Sequence, residues 1–351
     1  MGRTFLSVVL TLLAVNTDPS LVLGQSPPPG IFHEGKAFTF TKIRDGVYQV
    51  KGTGRLAVGC NSALIIRDTG VMLVDSHISP AAVWVLMDEM KVITDKPIRQ
   101  VVNTHWHFDH VNGNQLFPDE VQIMSYPVTR DKIATGHSKS GRSYDSFVGT
   151  LPNQIAAIEN QLAGTKSDSV RTVLQRQLTL QKNYKEATDA VKPRAPDMTF
   201  EHSVINDSER RIELLYLGKG HTDGDMVVYL PEDKVLITGD LMTAGLSYIG
   251  DGYIEDWITT LEKVKQLDFE TVLPGHGDPF QGKERITQFQ SYLRDFWGKA
   301  REMHAAGVSA EEAAKQMDLT NHSSDFPTIT KPGVALHGVL RAYELIEGKA
   351  E

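Results

Sequence analysis

Alternating apolar and polar residues near the start of the chain predict a series of short β-strands. The alternating runs are residues 38–41, 47–50, 63–66 and 71–74. Asp68-Thr69-Gly70 separates the last two runs, and this arrangement is typical of a β-hairpin. Ser79 followed by Pro80 predicts the start of a helix that extends to about Met90, because proline is tolerated in a first helical turn.

The second half of the chain repeats this pattern after a further strand-like run at residues 98–102. Its strand-like runs are residues 212–217, 226–230, 235–239 and 271–274. Between the last two runs, residues 254–267 predict an amphipathic helix with a single apolar face. That face consists of Ile254, Trp257, Ile258, Leu261, Val264 and Leu267.

The pattern changes between the two halves, where residues 128–197 predict a helical insertion. Residues 154–163 and 168–191 have the polar composition and weak apolar spacing of exposed helices, and Pro193 and Pro196 close the segment. Two interpretations stay open for this insertion: it covers a functional site, or it is an excrescence on the surface.

A helical tail is predicted for residues 284–351. Ser309-Ala310-Glu311-Glu312 is a capping box, which opens a helix, and residues 334–347 predict the last helix. We expect these helices to pack on the sheets or to mediate contacts in a homodimer.

Composition and charge narrow the class of protein. The chain has 351 residues, of which 40% are hydrophobic and 23% charged, as in a soluble globular enzyme of one large domain or two ordinary ones. Its formal net charge is −8, and removal of a leader that contains Arg3 and Asp18 leaves this value unchanged. Nucleic-acid substrates need clustered Lys and Arg, so the charge favours a small-molecule substrate, although a local basic groove stays possible.

The first residues predict an export signal over residues 1–24. Arg3 precedes an apolar stretch at residues 5–15, and Gly24 offers a cleavage point before Gln25. The stretch is shorter than the roughly 20 residues that span a bilayer, so we expect no stable membrane insertion after cleavage. An uncleaved N-terminal anchor is the alternative. We therefore expect an exported protein, either periplasmic or secreted.

Residues 25–35 predict a linker, because Pro27-Pro28-Pro29-Gly30 does not pack into regular structure. The single cysteine, Cys60, lies well inside the chain, so the mature protein has neither a disulfide partner nor a cysteine for lipidation at a cleavage site. A free thiol in an exported protein is usually a small buried apolar residue, and we interpret Cys60 in this way.

Three histidines and a carboxylate follow the strand-like run at residues 98–102. They lie within Thr104-His105-Trp106-His107-Phe108-Asp109-His110. Alternate residues of an extended segment point the same way, so His105 and His107 can bind one ion, while Asp109 and His110 face a second position. Neutral imidazole and carboxylate are ligands that zinc and similar divalent ions prefer. The segment therefore predicts a metal site.

Four further polar residues end strand-like runs, next to glycine or a turn. They are Asp75, His221, Asp240 and His276. Catalytic side chains often occupy such loops, because a rigid sheet positions them. The four residues of the first motif and three of these four come from different halves of the chain, which predicts a site at the seam between two sheets.

In this order, His-x-His-x-Asp-His, Gly-His-Thr, Gly-Asp and Pro-Gly-His resemble the motifs of the metallo-β-lactamase superfamily from about Phe38 to about Phe280. The resemblance implies a four-layer αβ/βα sandwich over residues 36–283, an α/β (α+β) fold with the helical insertion and the helical tail. It also implies that His105, His107 and His221 bind a first metal ion and that Asp109, His110 and His276 bind a second. Asp240 would bridge the ions, and Asp75 would orient ligands.

By the same resemblance, we expect two Zn²⁺ per chain, although histidine and carboxylate ligands also accept iron or manganese. Two ions about 3.5–4 Å apart can share a hydroxide that attacks an ester, thioester, lactone or amide carbonyl. Asp109 and Asp240 are the expected catalytic residues, with Asp109 carrying a proton to the leaving group. Trp106, Phe108, Tyr248 and Tyr253 are candidates for the substrate pocket, and Tyr248 is also a candidate donor to an oxyanion.

Other functions are compatible with these motifs. An aspartate at 240 is similar to the glyoxalase II and lactonase-type branches, whereas His110 and export would suit a β-lactamase acting on antibiotics. A mononuclear iron oxygenase of the same fold would use two histidines and an aspartate, and it would contain one iron per chain. A non-catalytic metal-binding or relay protein is the third class.

Overall fold

Two mixed β-sheets form the centre of the computed structural model, which describes residues 26–207 and 210–350. Within these residues the first sheet contains β1 (Phe38–Arg44), β2 (Val47–Gly52), β3 (Ser62–Arg67), β4 (Gly70–Val74), β5 (Ile98–Val102), β6 (Gln122–Ser125) and β7 (Met198–Thr199). The second contains β8 (His202–Asn206), β9 (Arg211–Tyr216), β10 (Met226–Leu230), β11 (Val235–Gly239), β12 (Thr271–Pro274) and β13 (Phe280–Gln281). The expected export signal lies outside the described residues.

The strands of each sheet pair in chain order. In the first sheet β1 to β4 are antiparallel, and β4 to β7 are parallel. In the second sheet the order is β13-β12-β11-β10-β9-β8, and only β11 and β12 are parallel to each other. The strands β4 and β5 are parallel neighbours, and so are β11 and β12, so within each pair the carboxyl ends lie at the same edge of the sheet. Polar residues follow each of these four ends.

The helices follow the predicted order, with some different bounds. They are α1 (Pro80–Glu89), α2 (Phe108–Val111), α3 (Pro127–Ala134), α4 (Gly141–Phe147), α5 (Leu151–Gly164), α6 (Asp168–Asp189), α7 (Ile254–Val264), α8 (Glu284–Ala305), α9 (Ala310–Gln316) and α10 (Leu336–Ile346). Ser79 caps α1 and Ser309 caps α9 through their side chains, as the sequence predicts. The helix predicted at residues 254–267 ends earlier, at Val264.

Apolar side chains fill three layers of core. The inner faces of the two sheets meet in one cluster that includes Met72 and Val74 from the first sheet and Val228 and Ile237 from the second. A second cluster joins the outer face of the first sheet to α1, and a third joins the second sheet to α7 and the C-terminal helices. The strands β10 and β11 are buried throughout, because both of their faces are covered. This arrangement is the expected four-layer αβ/βα sandwich.

The insertion and the tail both pack on the sandwich. Tyr144 from α4 and Leu151 from α5 join the core cluster around α1, while Phe289 from α8 and Val339 from α10 join the cluster around α7. Among the described residues, no helix combines the length and apolar character needed to cross a membrane.

Candidate metal centre

The seven candidate ligands lie together at the seam of the two sheets. His105 and His107 follow β5, and Asp109 and His110 lie in the single turn of α2 that begins just after His107. His221 follows β9, Asp240 directly follows β11, and His276 follows β12. The parallel alignment of β11 with β12 brings the last two residues to the same edge, opposite the end of β5.

Three imidazoles form the first group. The ligand atoms of His105, His107 and His221 lie within 4.8 Å of one another, and all three side chains are buried. Nε2 of His221 is 2.9 Å from Nδ1 of His107, and the ring of His105 is 4.8 Å from both other rings. Three converging ring nitrogens match the three histidine ligands of a catalytic zinc site.

Asp109, His110 and His276 form the second group, with ligand atoms again within 4.8 Å of one another. Nε2 of His276 is 3.2 Å from Oδ2 of Asp109, and Nε2 of His110 is 3.6 Å from the same oxygen. The His276 side chain is 41% exposed, whereas His110 is fully buried. The second group is therefore the side of the cluster that opens toward solvent.

Asp240 lies between the two groups. Its Oδ2 is 3.5 Å from Nε2 of His221 in the first group and 3.2 Å from Nε2 of His276 in the second. Its Oδ1 is 3.3 Å from Nε2 of His110. A carboxylate in this position can contact cations in both groups, which is the geometry expected for a bridging ligand.

Unsatisfied buried atoms show that the residues fit divalent cations. Nε2 of His105, Nε2 of His110 and Oδ1 of Asp240 are buried and have no hydrogen-bond partner among the described residues. Unpaired buried polar atoms are costly, and one cation in each group, with Asp240 contacting both, would satisfy all three. Burial holds the pKa of His105 well below its usual value and lowers the pKa of His221 to about 3, so both imidazoles are neutral and keep a lone pair for a cation.

Asp75 orients His110 through a network behind the cluster. Nδ1 of His110 lies 2.7 Å from Oδ2 of Asp75, and the backbone N–H and hydroxyl of Thr104 each donate to the same carboxylate over 2.8 Å. Because Nδ1 donates to Asp75, Nε2 of His110 is the nitrogen that faces Asp109 and Asp240. Asp75 has a left-handed backbone with φ of 64°, a conformation that aspartate tolerates better than most residues.

Cys60 lies close to this network without joining the metal cluster. Cys60, Asp75 and His110 also bring potential ligand atoms within 4.8 Å of one another. Burial raises the pKa of the Cys60 thiol to about 12, and the Asp75 carboxylate already accepts three hydrogen bonds. The thiol is buried and free, in agreement with its interpretation as a small buried residue.

Asp251 is a site residue that the sequence analysis missed. Its Oδ2 lies 3.1 Å from Nε2 of His107, on the nitrogen that does not face His221. The residue belongs to the loop at residues 243–253, and no sequence motif marks its carboxylate. Its position next to Gly250 and Gly252, after the Asp240 strand end, was the only available signal.

A cavity of about 650 Å³ opens onto the cluster. Asp109, Asp240, His107, His221 and His276 form its polar floor. Its apolar wall includes Ile78, Phe108, Phe147, Tyr184, Leu246 and Tyr248. Phe147 and Tyr184 come from the helical insertion, which therefore covers part of the site.

Two of the four residues expected at the pocket lie elsewhere. The indole N–H of Trp106 donates to Asp223 over 3.0 Å, and the cationic groups of Lys219 and Arg341 lie 4.2 and 4.6 Å from the centre of the Tyr253 ring. Neither Trp106 nor Tyr253 lines the cavity. Phe108 and Tyr248 do line it.

The hydroxyl of Tyr248 packs beside Gly250. Its oxygen is buried without a hydrogen-bond partner among the described residues, and a Cβ on Gly250 would lie 2.1 Å from it. This placement argues against the expected role of Tyr248 as a donor to an oxyanion.

Comparisons with known proteins agree with this geometry. The model of the family described as the metallo-beta-lactamase superfamily matches residues 55–276, well over half of the chain. The linear primary-alkylsulfatase of a Pseudomonas species is 23% identical over 307 residues, which cover 80% of this chain and 54% of the relative. The chain therefore spans about half the length of that enzyme. A beta-lactamase-like protein 2 homolog from Caenorhabditis elegans is 23% identical, over 79% of this chain and 72% of the relative.

Solved structures show the same fold. The stereoselective inverting sec-alkylsulfatase Pisa1 from Pseudomonas sp. aligns with a TM-score of 0.59 and 19% identity, over 88% of this chain and 50% of that chain. A metallo-beta-lactamase from Pontibacter korlensis aligns with a TM-score of 0.52 and 19% identity, over 73% of this chain and 99% of that chain. At these identities the likeness establishes the architecture alone.

Proposed function

We propose that this chain, which belongs to the metallo-beta-lactamase superfamily, is an exported dinuclear zinc hydrolase of neutral acyl compounds. Metal-dependent hydrolysis is the activity that the family and the buried His/Asp cluster have in common. The proposal adds three statements to this activity: that two metal ions bind, that the substrate is a neutral acyl compound and that the protein is exported. Export rests on the apolar stretch at residues 5–15 and on Gly24.

The observation that carries the proposal is the position of Asp240 between two groups of ligands. His105, His107 and His221 would hold one zinc ion, and Asp109, His110 and His276 would hold the other, with Asp240 shared. When bound, zinc ions supply Lewis acidity, which polarises a carbonyl and makes water a nucleophile at neutral pH.

The protein's own side chains then divide the remaining tasks. Asp75 fixes the ring of His110, and Asp251 fixes the ring of His107, so both imidazoles keep one defined nitrogen toward the cluster. The Asp109 side chain, 14% exposed, lines the cavity and can carry a proton to a departing alkoxide or thiolate. Phe108 and Phe147 limit the access of bulk water to the reacting carbonyl.

The cavity lining favours a neutral acyl substrate. None of the described residues that line the cavity is Lys or Arg, and the carboxylates of Asp109 and Asp240 would be neutralised by the bound zinc ions. A substrate carboxylate or sulfate would therefore find no cationic side chain there. Uncharged esters, lactones, thioesters or amides meet the apolar wall without this penalty. The lining thus supports neutral acyl compounds over β-lactam antibiotics that carry a carboxylate.

Sulfate-ester hydrolysis is a second candidate, because the match with the alkylsulfatase covers 80% of this chain. The test is a substrate panel with the zinc-loaded full chain. It contains neutral esters, lactones, thioesters and amides, a carboxylate-bearing β-lactam and a primary alkyl sulfate. We expect turnover of neutral acyl compounds that stops on chelation and returns with zinc.

Turnover of the alkyl sulfate alone would replace the first candidate with the second, and turnover of the β-lactam alone would favour a β-lactamase. One iron per chain with consumption of dioxygen would favour the oxygenase. Failure of the loaded protein on every member of the panel would leave a binding or relay role.

A further inference from the structure

We propose that the substrate carries an extended aliphatic chain, which occupies a second cavity next to the metal centre. This inference rests on the proposed function and makes its substrate class more specific. It is carried by the boundary that the two cavities share and by the chemistry of the second one.

The second cavity has a volume of about 550 Å³ and lies between residues 246–249 and the C-terminal tail. Its apolar wall includes Ile249, Tyr292, Phe296, Leu319, Ile329 and Val334. Ile249, Tyr292, Phe296 and Leu319 are buried core residues, so the wall is a fixed part of the sandwich and its tail. Among the residues that line this cavity, Lys331 is the only one with a charged side chain.

The two cavities share a boundary. Leu246, Tyr248 and Thr328 line both of them. The ring of Tyr248 lies 6.0 Å from the ring of His107 and 6.3 Å from the ring of His221, so one face of the boundary belongs to the metal centre. Thr328, in the irregular segment before α10, is exposed at the rim. A chain attached to a carbonyl in the first cavity therefore passes this boundary to reach the second.

An aliphatic chain suits this path because both cavities have mainly apolar walls. The wall of the second cavity has no acidic side chain that would need a cation or a polar partner. Each methylene moved from water to an apolar site contributes up to about a fourfold gain in binding. The affinity for the substrate should therefore rise with the length of its aliphatic chain only when that chain is long enough to pass the boundary.

Ala335 and Thr330 offer variants that fill the second cavity without changing its buried core. Both residues line the cavity, and both are exposed. Ala335→Phe and Thr330→Trp place a large ring in the space where the chain would lie. Ala306→Phe is the matched control, because Ala306 is exposed at the end of α8 and lines neither cavity.

The experiment measures binding and turnover separately in the zinc-loaded full chain. Methyl ketones from 2-butanone to 2-dodecanone have a carbonyl and no leaving group, so their binding, measured by titration calorimetry, does not depend on hydrolysis. The p-nitrophenyl esters from acetate to decanoate then give the ratio of kcat/KM between long and short chains.

We expect affinity for the ketones and kcat/KM for the esters to rise roughly two- to fourfold per methylene over the longer members. Ala335→Phe and Thr330→Trp should each reduce the long-to-short ratio at least tenfold, whereas Ala306→Phe should keep it. A flat chain-length profile in the wild type, or an equal ratio in all variants, would overturn the inference. Chain-dependent ketone binding without ester turnover would keep the second cavity as a binding site and would count against the proposed hydrolysis instead.

Discussion

Asp251 contacts His107 on the side of the imidazole that faces away from the histidine cluster, with Oδ2 and Nε2 3.1 Å apart. The other ring nitrogen, Nδ1, lies 2.9 Å from Nε2 of His221. Because Nε2 donates to Asp251, Nδ1 is left with the lone pair that a cation needs. The loop that carries Asp251 is held from both sides: Arg142 donates to the carbonyl of Gly250, and Arg341 donates to the carbonyl of Gly252.

Asp251→Asn should weaken metal binding without unfolding the protein. Loss of a carboxylate behind a metal-binding histidine typically reduces metal affinity about 10- to 100-fold, because the ring loses its fixed orientation. Competition with a chromogenic chelator measures this change. Asp256→Asn is the matched control, since Asp256 is exposed in the first turn of α7. Equal zinc affinity in the two variants would remove Asp251 from the site.

Tyr248→Phe should change turnover by less than about threefold. The hydroxyl is buried without a partner among the described residues, so its removal relieves a desolvation cost of about 1–3 kcal/mol and leaves the cavity wall in place. Loss of a donor to an oxyanion would instead lower kcat by about 10²–10³. Steady-state kinetics on the best substrate, together with thermal unfolding, distinguish the two roles. A large loss of kcat with an unchanged Tm would restore the oxyanion role.

Gly275→Ala should disrupt the metal centre. A Cβ at this position would lie 2.0 Å from Oδ1 of Asp240 and 2.8 Å from the carbonyl carbon of Gly239, so the strand end that holds Asp240 must shift. We expect a lower zinc content and a lower Tm. Gly298→Ala is the control, because a Cβ there meets nothing within 4 Å, and alanine in a helix interior is favoured by roughly 0.5–1 kcal/mol over glycine. A wild-type zinc content in Gly275→Ala would show that Asp240 is free to move.

The ends of buried strands are easy to locate in the sequence, because a buried strand appears as an apolar run with a clear end. The strands β4 and β11 are buried along their whole length, so each is a mainly apolar run that stops at an aspartate. Asp75 and Asp240 directly follow such runs. The local pattern therefore placed these two residues before any tertiary contact was known.

The pattern of apolar and polar residues did not predict the edge strands or the contacts between residues far apart in the chain. The strand β8 has alternating exposure, and β7 and β13 contain two residues each, so these strands lacked the apolar run that marks the others. The helix α5 begins at Leu151 rather than near residue 154, because Pro152 is accommodated in its first turn. The contact of Asp251 with His107 joins residues 144 positions apart, and only the folded loop brings them together.

The insertion shows a similar limit. Its helices are polar over most of their length, so the sequence left open whether they cover the site. Phe147 and Tyr184 lie on the cavity wall, so the insertion covers part of the site. Their position depends on how α4 and α6 pack against the sandwich.

The metal content of the purified full chain, measured by elemental analysis after zinc loading and removal of free metal, tests the central claim most directly. We predict two zinc ions per chain in the wild type, bound by the two ligand groups on either side of Asp240. His221→Ala should retain about one ion, while His202→Ala, an exposed histidine outside the cluster, should retain both. A wild-type protein that holds fewer than two zinc ions, or an equal zinc content in these two variants, would contradict the dinuclear centre.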